Sequence, residues 1–131
     1  MNEPQLNHGA RRIAPNSLEL LIEMFSLLGC EVRFREGEAR WAMIGQSGVG
    51  FNIQLVEVDE TPILNKSRTS SHIAFISENP TAIIEKIEEW SIKNNLNFKK
   101  GGWSDRELWF DLPDLFVDFV IEVMDKAIVG K

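Results

Sequence analysis

Two passages half a chain length apart follow one order. His8-Gly9-Ala10-Arg11-Arg12-Ile13 leads through Pro15-Asn16-Ser17 into an apolar helical stretch. Ser71-His72-Ile73-Ala74-Phe75-Ile76 leads through Asn79-Pro80 into another. His8 and His72 are the chain's only histidines. Each passage is followed by three further strand-like segments, so the chain reads as one β-α-β-β-β unit used twice. In 131 residues that repeat leaves room for one compact domain, or two small halves around shared apolar layers.

The first half is assigned to residues 1–58. Gln5–Ile13 reads as a strand. Asn16 is placed to cap a helix, with Glu19 reaching back to complete a capping box. Leu20, Leu21, Met24, Phe25 and Leu28 recur at helical spacing, and Gly29 ends the helix in the left-handed conformation glycine tolerates. Strands are expected at Glu31–Arg35, Ala39–Ile44 and Phe51–Val58. Residues 59–71 are polar, rich in Ser and Thr and contain Pro62, which marks a connector tacked down by Ile63-Leu64.

The second half is assigned to residues 72–124. His72–Ser77 reads as a strand, and Asn79-Pro80 as a cap with proline at the first helical position. Ile83, Ile84, Ile87 and Trp90 form the helix's apolar stripe. Strands follow at Asn97–Lys100, Glu107–Asp111 and Phe116–Met124, with Gly101-Gly102 as a corner. Residues 125–131 are expected to form a loose tail. The expected class is α+β, with two βαβββ modules whose curved mixed sheet surrounds a cleft and whose helices lie on the outer face.

Alternation along the strands assigns the faces. Ile53 and Leu55 alternate with Asn52 and Gln54; Val117, Phe119, Ile121 and Val123 alternate with Asp118, Val120 and Glu122. Successive strand side chains point to opposite sides. One face of each strand then packs on its helix, and the other presents the polar set. His8, Gln54, His72 and Asp118 thus share the polar faces of the first and last strands of the two halves, a donor set that suits Zn, Ni, Mn or Fe(II). Trp41, Trp103 and Trp109 are candidates to line a ligand cavity, with Asn52 and Glu122 as further ligand-facing residues. Glu122 reads most simply as a solvated residue at a strand end.

Composition narrows the partners. The net charge is −6 and no Lys or Arg run occurs, which argues against nucleic acid. No apolar run approaches the roughly 20 residues of a membrane span, and residues 1–6 lack a signal-peptide pattern. The single Cys30 precludes an internal disulfide and fits a reducing, cytoplasmic setting. It reads as a small buried residue rather than a reactive thiol. The glycines of Gly45–Gly50 come without a lysine or a following helix, so no phosphate loop is expected.

The doubled order, the two histidines and the segment Leu108-Trp109-Phe110-Asp111-Leu112-Pro113-Asp114 together resemble the vicinal oxygen chelate superfamily. That superfamily includes glyoxalase I, extradiol dioxygenases, fosfomycin-resistance transferases and bleomycin-resistance proteins. The resemblance spans about Gln5 to Met124. It implies metal ligands at the first and last strands of each half, which match His8, Gln54, His72 and, with a one-residue gap after the proline turn, Asp118. Without the gap the last position falls on Phe119.

Three functions are expected from this. The first is a small-molecule-binding protein of the bleomycin-resistance type, acting by sequestration and working without metal. The second is a metal-dependent lyase, isomerase, transferase or dioxygenase, in which Asp118 serves as base or third ligand. The third is a structural or regulatory module with a closed cleft. The resemblance also implies a homodimer, since short members of the superfamily complete their clefts by pairing.

Overall fold

A computed structural model describes residues 4–129. The chain divides into two compact units, Met1–Asp59 and Glu60–Lys131. Each carries a four-stranded mixed sheet, so the α+β class and the repeated module hold.

In the first unit, β1 (His8–Ile13) is followed by α1 (Leu18–Ser26), β2 (Cys30–Phe34), β3 (Trp41–Gln46) and β4 (Asn52–Glu57). The sheet order is β1-β4-β3-β2. Strand β1 runs parallel to β4, and β3 runs antiparallel to both β4 and β2. In the second unit the same order recurs as β5 (His72–Ser77), α2 (Pro80–Lys93), β6 (Lys99–Ser104), β7 (Glu107–Asp111) and β8 (Val120–Asp125). The sheet order is β5-β8-β7-β6, again with a parallel pair, β5 with β8. A parallel pair needs a long crossover, which here is the helix and two strands between its members.

The alternation assigned the faces as expected over the paired strands. Ala42, Ile44, Ile53 and Leu55 are buried on the side of α1, together with Leu18, Leu21, Met24 and Phe25. Phe110, Ile121 and Val123 are buried on the side of α2, with Ile84 and Ile87. Ile87 has no exposed surface, and it stands at the centre of the α2 stripe. Ile87→Ala is expected to lower stability by about 2–5 kcal/mol in urea denaturation, and a loss below about 1 kcal/mol would mean the stripe is not the packed face. Trp90, expected as core, is only half-buried.

The start of α1 differs from the expected capping box. Asn16 has a positive φ of 62° and Ser17 takes the cap position without a side-chain cap bond. The cap comes instead from the end of β4, where the Glu57 carboxylate accepts from the Leu18 amide at 2.9 Å. Burial works to raise the Glu57 pKa, but the Leu18 and Asn16 amides and the Arg40 guanidinium outweigh it and hold the carboxyl below its usual value. Glu19 pairs with Arg35 instead of closing a box. The predicted C-terminal stop holds, since Gly29 has a φ of 82°.

Three boundaries in the second unit also differ. Gly101 and Gly102 lie inside β6 and pair with Trp109 and Leu108, so they are not a corner. A Cβ on Gly101 would stand 2.6 Å from the Trp109 ring, so the absence of a side chain is what lets Trp109 lie across the strand. The last strand starts at Val120 rather than Phe116, and residues 112–119 form a buried connection. Part of the expected loose tail is ordered: β8 runs to Asp125 and a short helix, α3, spans Lys126–Val129. Residues 130–131 lie outside the described residues.

The expected connector is built into the second unit. Residues 66–70 form a 3-10 turn, and its Arg68 is only 6% exposed. Ile63 and Leu64 stay exposed, so the segment is held by Arg68 and by backbone pairing rather than by those two side chains. The Ile63 amide donates to the Val117 carbonyl, and the Val120 amide to the Ser71 carbonyl.

Candidate functional site

The helices cover one side of each sheet. The opposite side, called the open face below, is where the polar strand residues stand. On the second sheet, register pairs His72 with Val120, Ala74 with Glu122, and Glu122 with Trp109. These residues therefore point the same way. His72 Nε2 lies 3.4 Å from Glu122 Oε1, and the imidazole lies 5.0 Å from the Trp103 ring, tilted by 43°. His72 Nδ1 lies 3.1 Å from the Thr69 carbonyl oxygen. A carbonyl can only accept, so Nδ1 carries the hydrogen and Nε2 faces Glu122.

Glu122 is 6% exposed, which corrects its reading as a solvated strand end. Burial raises its carboxyl above the ordinary glutamate value; the His72 imidazole opposes the rise and the nearby Glu107 carboxylate adds to it. The folded state then binds its proton more tightly than the unfolded chain does. Any stability this contributes is present below the ordinary glutamate pKa and is lost as pH rises through the folded value. In chelator-treated protein, Glu122→Gln should therefore gain stability relative to the parent as pH is raised from about 4 to about 8. Urea midpoints across that range check it; a difference independent of pH would show that the carboxyl is not destabilised by its surroundings.

Asp118 stands elsewhere. It lies in the bend before β8, two positions ahead of the first paired residue, so strand alternation does not aim it beside His72. The second unit is longer than the first both between its histidine and β7 and in the connection from β7 to β8, residues 112–119, compared with residues 47–51 between β3 and β4. Register identifies the true counterpart. Gln54 pairs with Ala10, two residues after His8, and Glu122 pairs with Ala74, two residues after His72. Gln54 and Glu122 are thus equivalent in the two units. Phe119, the position reached without an alignment gap, is fully buried and stacks on Phe116 at 4.3 Å.

On the first sheet, the open face carries His8, Asn52, Gln54, Met43 and Trp41 by register. His8 is exposed and its Nδ1 lies 2.8 Å from Asn7 Oδ1. Trp41 is half-buried and tilts against Phe34 with ring centres 5.8 Å apart. Asn52 folds its side chain over Gly45, where its Oδ1 is buried and has no hydrogen-bond partner among the described residues. Among the described residues no three His, Cys, Asp or Glu side chains group as a metal site. The pair that does fit a divalent ion is His72 with Glu122: an imidazole nitrogen and a carboxylate oxygen at a separation two ligands of one ion can share, with the other ring nitrogen held by a backbone carbonyl.

Two other features bear on chemistry. Burial pushes the Cys30 thiol up to about 11, with Arg33 opposing, so it is no nucleophile at neutral pH. A cavity of about 270 Å³ lies between α2 and strands β6 and β7, lined by Thr81, Ile84, Glu85, Lys100, Gly101 and Leu108. It is on the helix side of the sheet, and its Lys100 is engaged by Glu88 at 2.9 Å.

Sequence reasoning missed Arg68 entirely. Its Nε and one terminal nitrogen donate to the two Asp111 oxygens, each at 2.9 Å. The remaining donors reach the carbonyls of Ile63, Val117, Phe116 and, at 3.4 Å, Phe119. The available signal was weak: one arginine in a Ser/Thr-rich stretch, and one aspartate ending an apolar strand.

Comparison with protein-family models and with curated proteins finds no match. Solved structures do match over nearly the whole chain. An antibiotic-binding protein from a Streptomyces species has a TM-score of 0.59 at 14% identity, covering 95% of this chain and 98% of its own. A variant fosfomycin resistance protein from Listeria monocytogenes, complexed with Mn(II), has a TM-score of 0.59 at 17% identity, covering 93% and 92%. Glyoxalase I from Leishmania major has a TM-score of 0.57 at 14% identity, covering 98% and 91%. The chain shares the fold of these structures. Among the described residues no helix is long and apolar enough to cross a membrane.

Proposed function

We propose that this protein binds a small molecule on the open face of its second sheet, with His72, Trp103, Trp109 and Glu122 as the anchor. The observation that carries this is the buried Glu122 carboxyl directed at a histidine whose ring lies tilted against a tryptophan 46% exposed to solvent. Ala74 and Ile76 stand exposed beside the cluster on β5. An aromatic surface left in water next to a polar pair is what a flat ligand with one hydrogen-bonding or cationic group requires. The similar fold of the antibiotic-binding Streptomyces protein supports a binding role.

A second reading is favoured by the His72 hydrogen bond to Thr69. With Nδ1 occupied, Nε2 and Glu122 offer two ligands to a divalent ion on the second unit. A bound ion would supply Lewis-acid polarisation of substrate oxygens. Glu122, rather than Asp118, is then the carboxylate that holds the ion or takes a proton.

Titration calorimetry with Mn(II) and Zn(II), followed by tryptophan fluorescence against a panel of planar cationic and anionic compounds, tests both. Metal binding lost in Glu122→Gln supports the second reading. Ligand quenching in metal-free protein, lost in Trp103→Ala, supports the first. No response in either would overturn both. A homodimer is part of the same proposal, because exposed Val32 and Phe34 lie on the edge strand β2; sedimentation at only 14.9 kDa would exclude it.

A further inference from the structure

We infer that Arg68 is a positioning residue for the site on the second sheet, fixing the ring orientation and tautomer of His72 and the placement of Glu122 together. The inference rests on the reading of His72 and Glu122 as the ligand anchor.

Two elements meet at the guanidinium. The first is the 3-10 turn Lys66–Ser70, whose Thr69 carbonyl accepts from His72 Nδ1. The turn's own bonds are local: Asn65 caps it through Ser67, the Thr69 and Ser70 hydroxyls donate to the Lys66 and Ser67 carbonyls, and the Ser71 amide returns to the Arg68 carbonyl. Backbone bonds at Ile63 and Ser71 flank it, and the side chain that ties it to the sheet is Arg68, through both Asp111 oxygens at the end of β7. The second element is the connection 112–119, which delivers the chain to β8. Arg68 donates to three of its carbonyls, those of Phe116, Val117 and Phe119, the last immediately before β8 begins. Phe116, Val117 and Phe119 are buried, and the guanidinium is a partner for their carbonyls.

One planar cation thus sets the carbonyl that holds the His72 tautomer and the entry of the strand that carries Glu122. Only a planar, five-donor group can serve both elements; an ammonium offers three donors on a flexible stem and no fork matching the Asp111 carboxylate. Arg68 is buried and does not line the open face, so its effect on a ligand passes through His72 and Glu122.

The chain's two histidines make this testable without knowing the ligand. Long-range nitrogen–proton correlation spectra at about pH 8, above the ordinary imidazole range, report the tautomer of each ring separately. In the parent protein His72 should show the Nδ1-protonated pattern. In Arg68→Lys and in Asp111→Asn, which keeps the volume and one acceptor oxygen, that pattern should be lost for His72. His8, in the first unit and held by Asn7, should keep its own in all three proteins. A native amide spectrum and unchanged far-ultraviolet dichroism establish that a variant is folded. His72 in the Nδ1-protonated form in a folded variant would overturn the inference. So would an Nε2-protonated His72 in the parent, even were neither variant to fold. Because no ligand enters the measurement, failure of the binding proposal and failure of this one are read separately.

Discussion

Asp111→Ala is expected to destabilise the protein by about 3–5 kcal/mol, measured by urea denaturation. Asp111 and Arg68 are paired with side chains only 6% and 5% exposed. Removing the carboxylate leaves a guanidinium that cannot lose its proton and is cut off from water. A loss of this size is a large part of a typical total of about 5–15 kcal/mol. An isolated buried pair can often be exchanged for apolar residues at little cost. Here the double variant Arg68→Met with Asp111→Leu should not recover stability, because it strands the buried Phe116 carbonyl without its donor and removes a donor from the carbonyls of Ile63 and Val117. Recovery in the double variant, or a loss below about 1 kcal/mol in the single one, would mean that the guanidinium reaches solvent by rearrangement.

The order of strands and helices was legible because its signals are local. Alternation in Phe51–Val56 and Ile121–Val123, the i, i+4 spacing of Ile83 and Ile87, and Gly29 after an apolar helix each depend on a few neighbouring residues. The shared face of His72 and Glu122 was legible too, once the strand was placed. What the sequence hid depends on partners far along the chain. The cap of α1 comes from Glu57, which no spacing near Ser17 can announce. Arg68 reaches Asp111 from a segment whose composition is that of a solvated connector. The end of the second half was hidden for a third reason: the β7–β8 connection is longer than its counterpart between β3 and β4 and is itself apolar. Leu112, Leu115, Phe116, Val117 and Phe119 are all buried, so the stretch alternates and reads as strand although it is an irregular loop around a guanidinium.

That loop carries the other large expected effect. Phe119→Ala should cost about 3–5 kcal/mol in the same denaturation experiment. The ring has no exposed surface and stacks on Phe116, which in turn tilts against Phe110. The three phenylalanines join the β7–β8 connection to the strand it leaves, as Arg68 joins it to the 3-10 turn. The cavity left by truncation would lie next to the Phe119 carbonyl that Arg68 contacts, so the Phe119 and Asp111 substitutions should not be additive. A combined Phe119→Ala, Asp111→Ala protein should lose less than the sum of the single losses, since each already loosens the same connection. Strict additivity would mean that ring stacking and the ion pair support separate parts of the unit. Asp118→Ala offers the contrast: it lies in the bend, half-buried and outside the ladder, and it should leave the His72 tautomer unchanged. Its neighbour in sequence, Phe119, leads directly into the strand that carries Glu122.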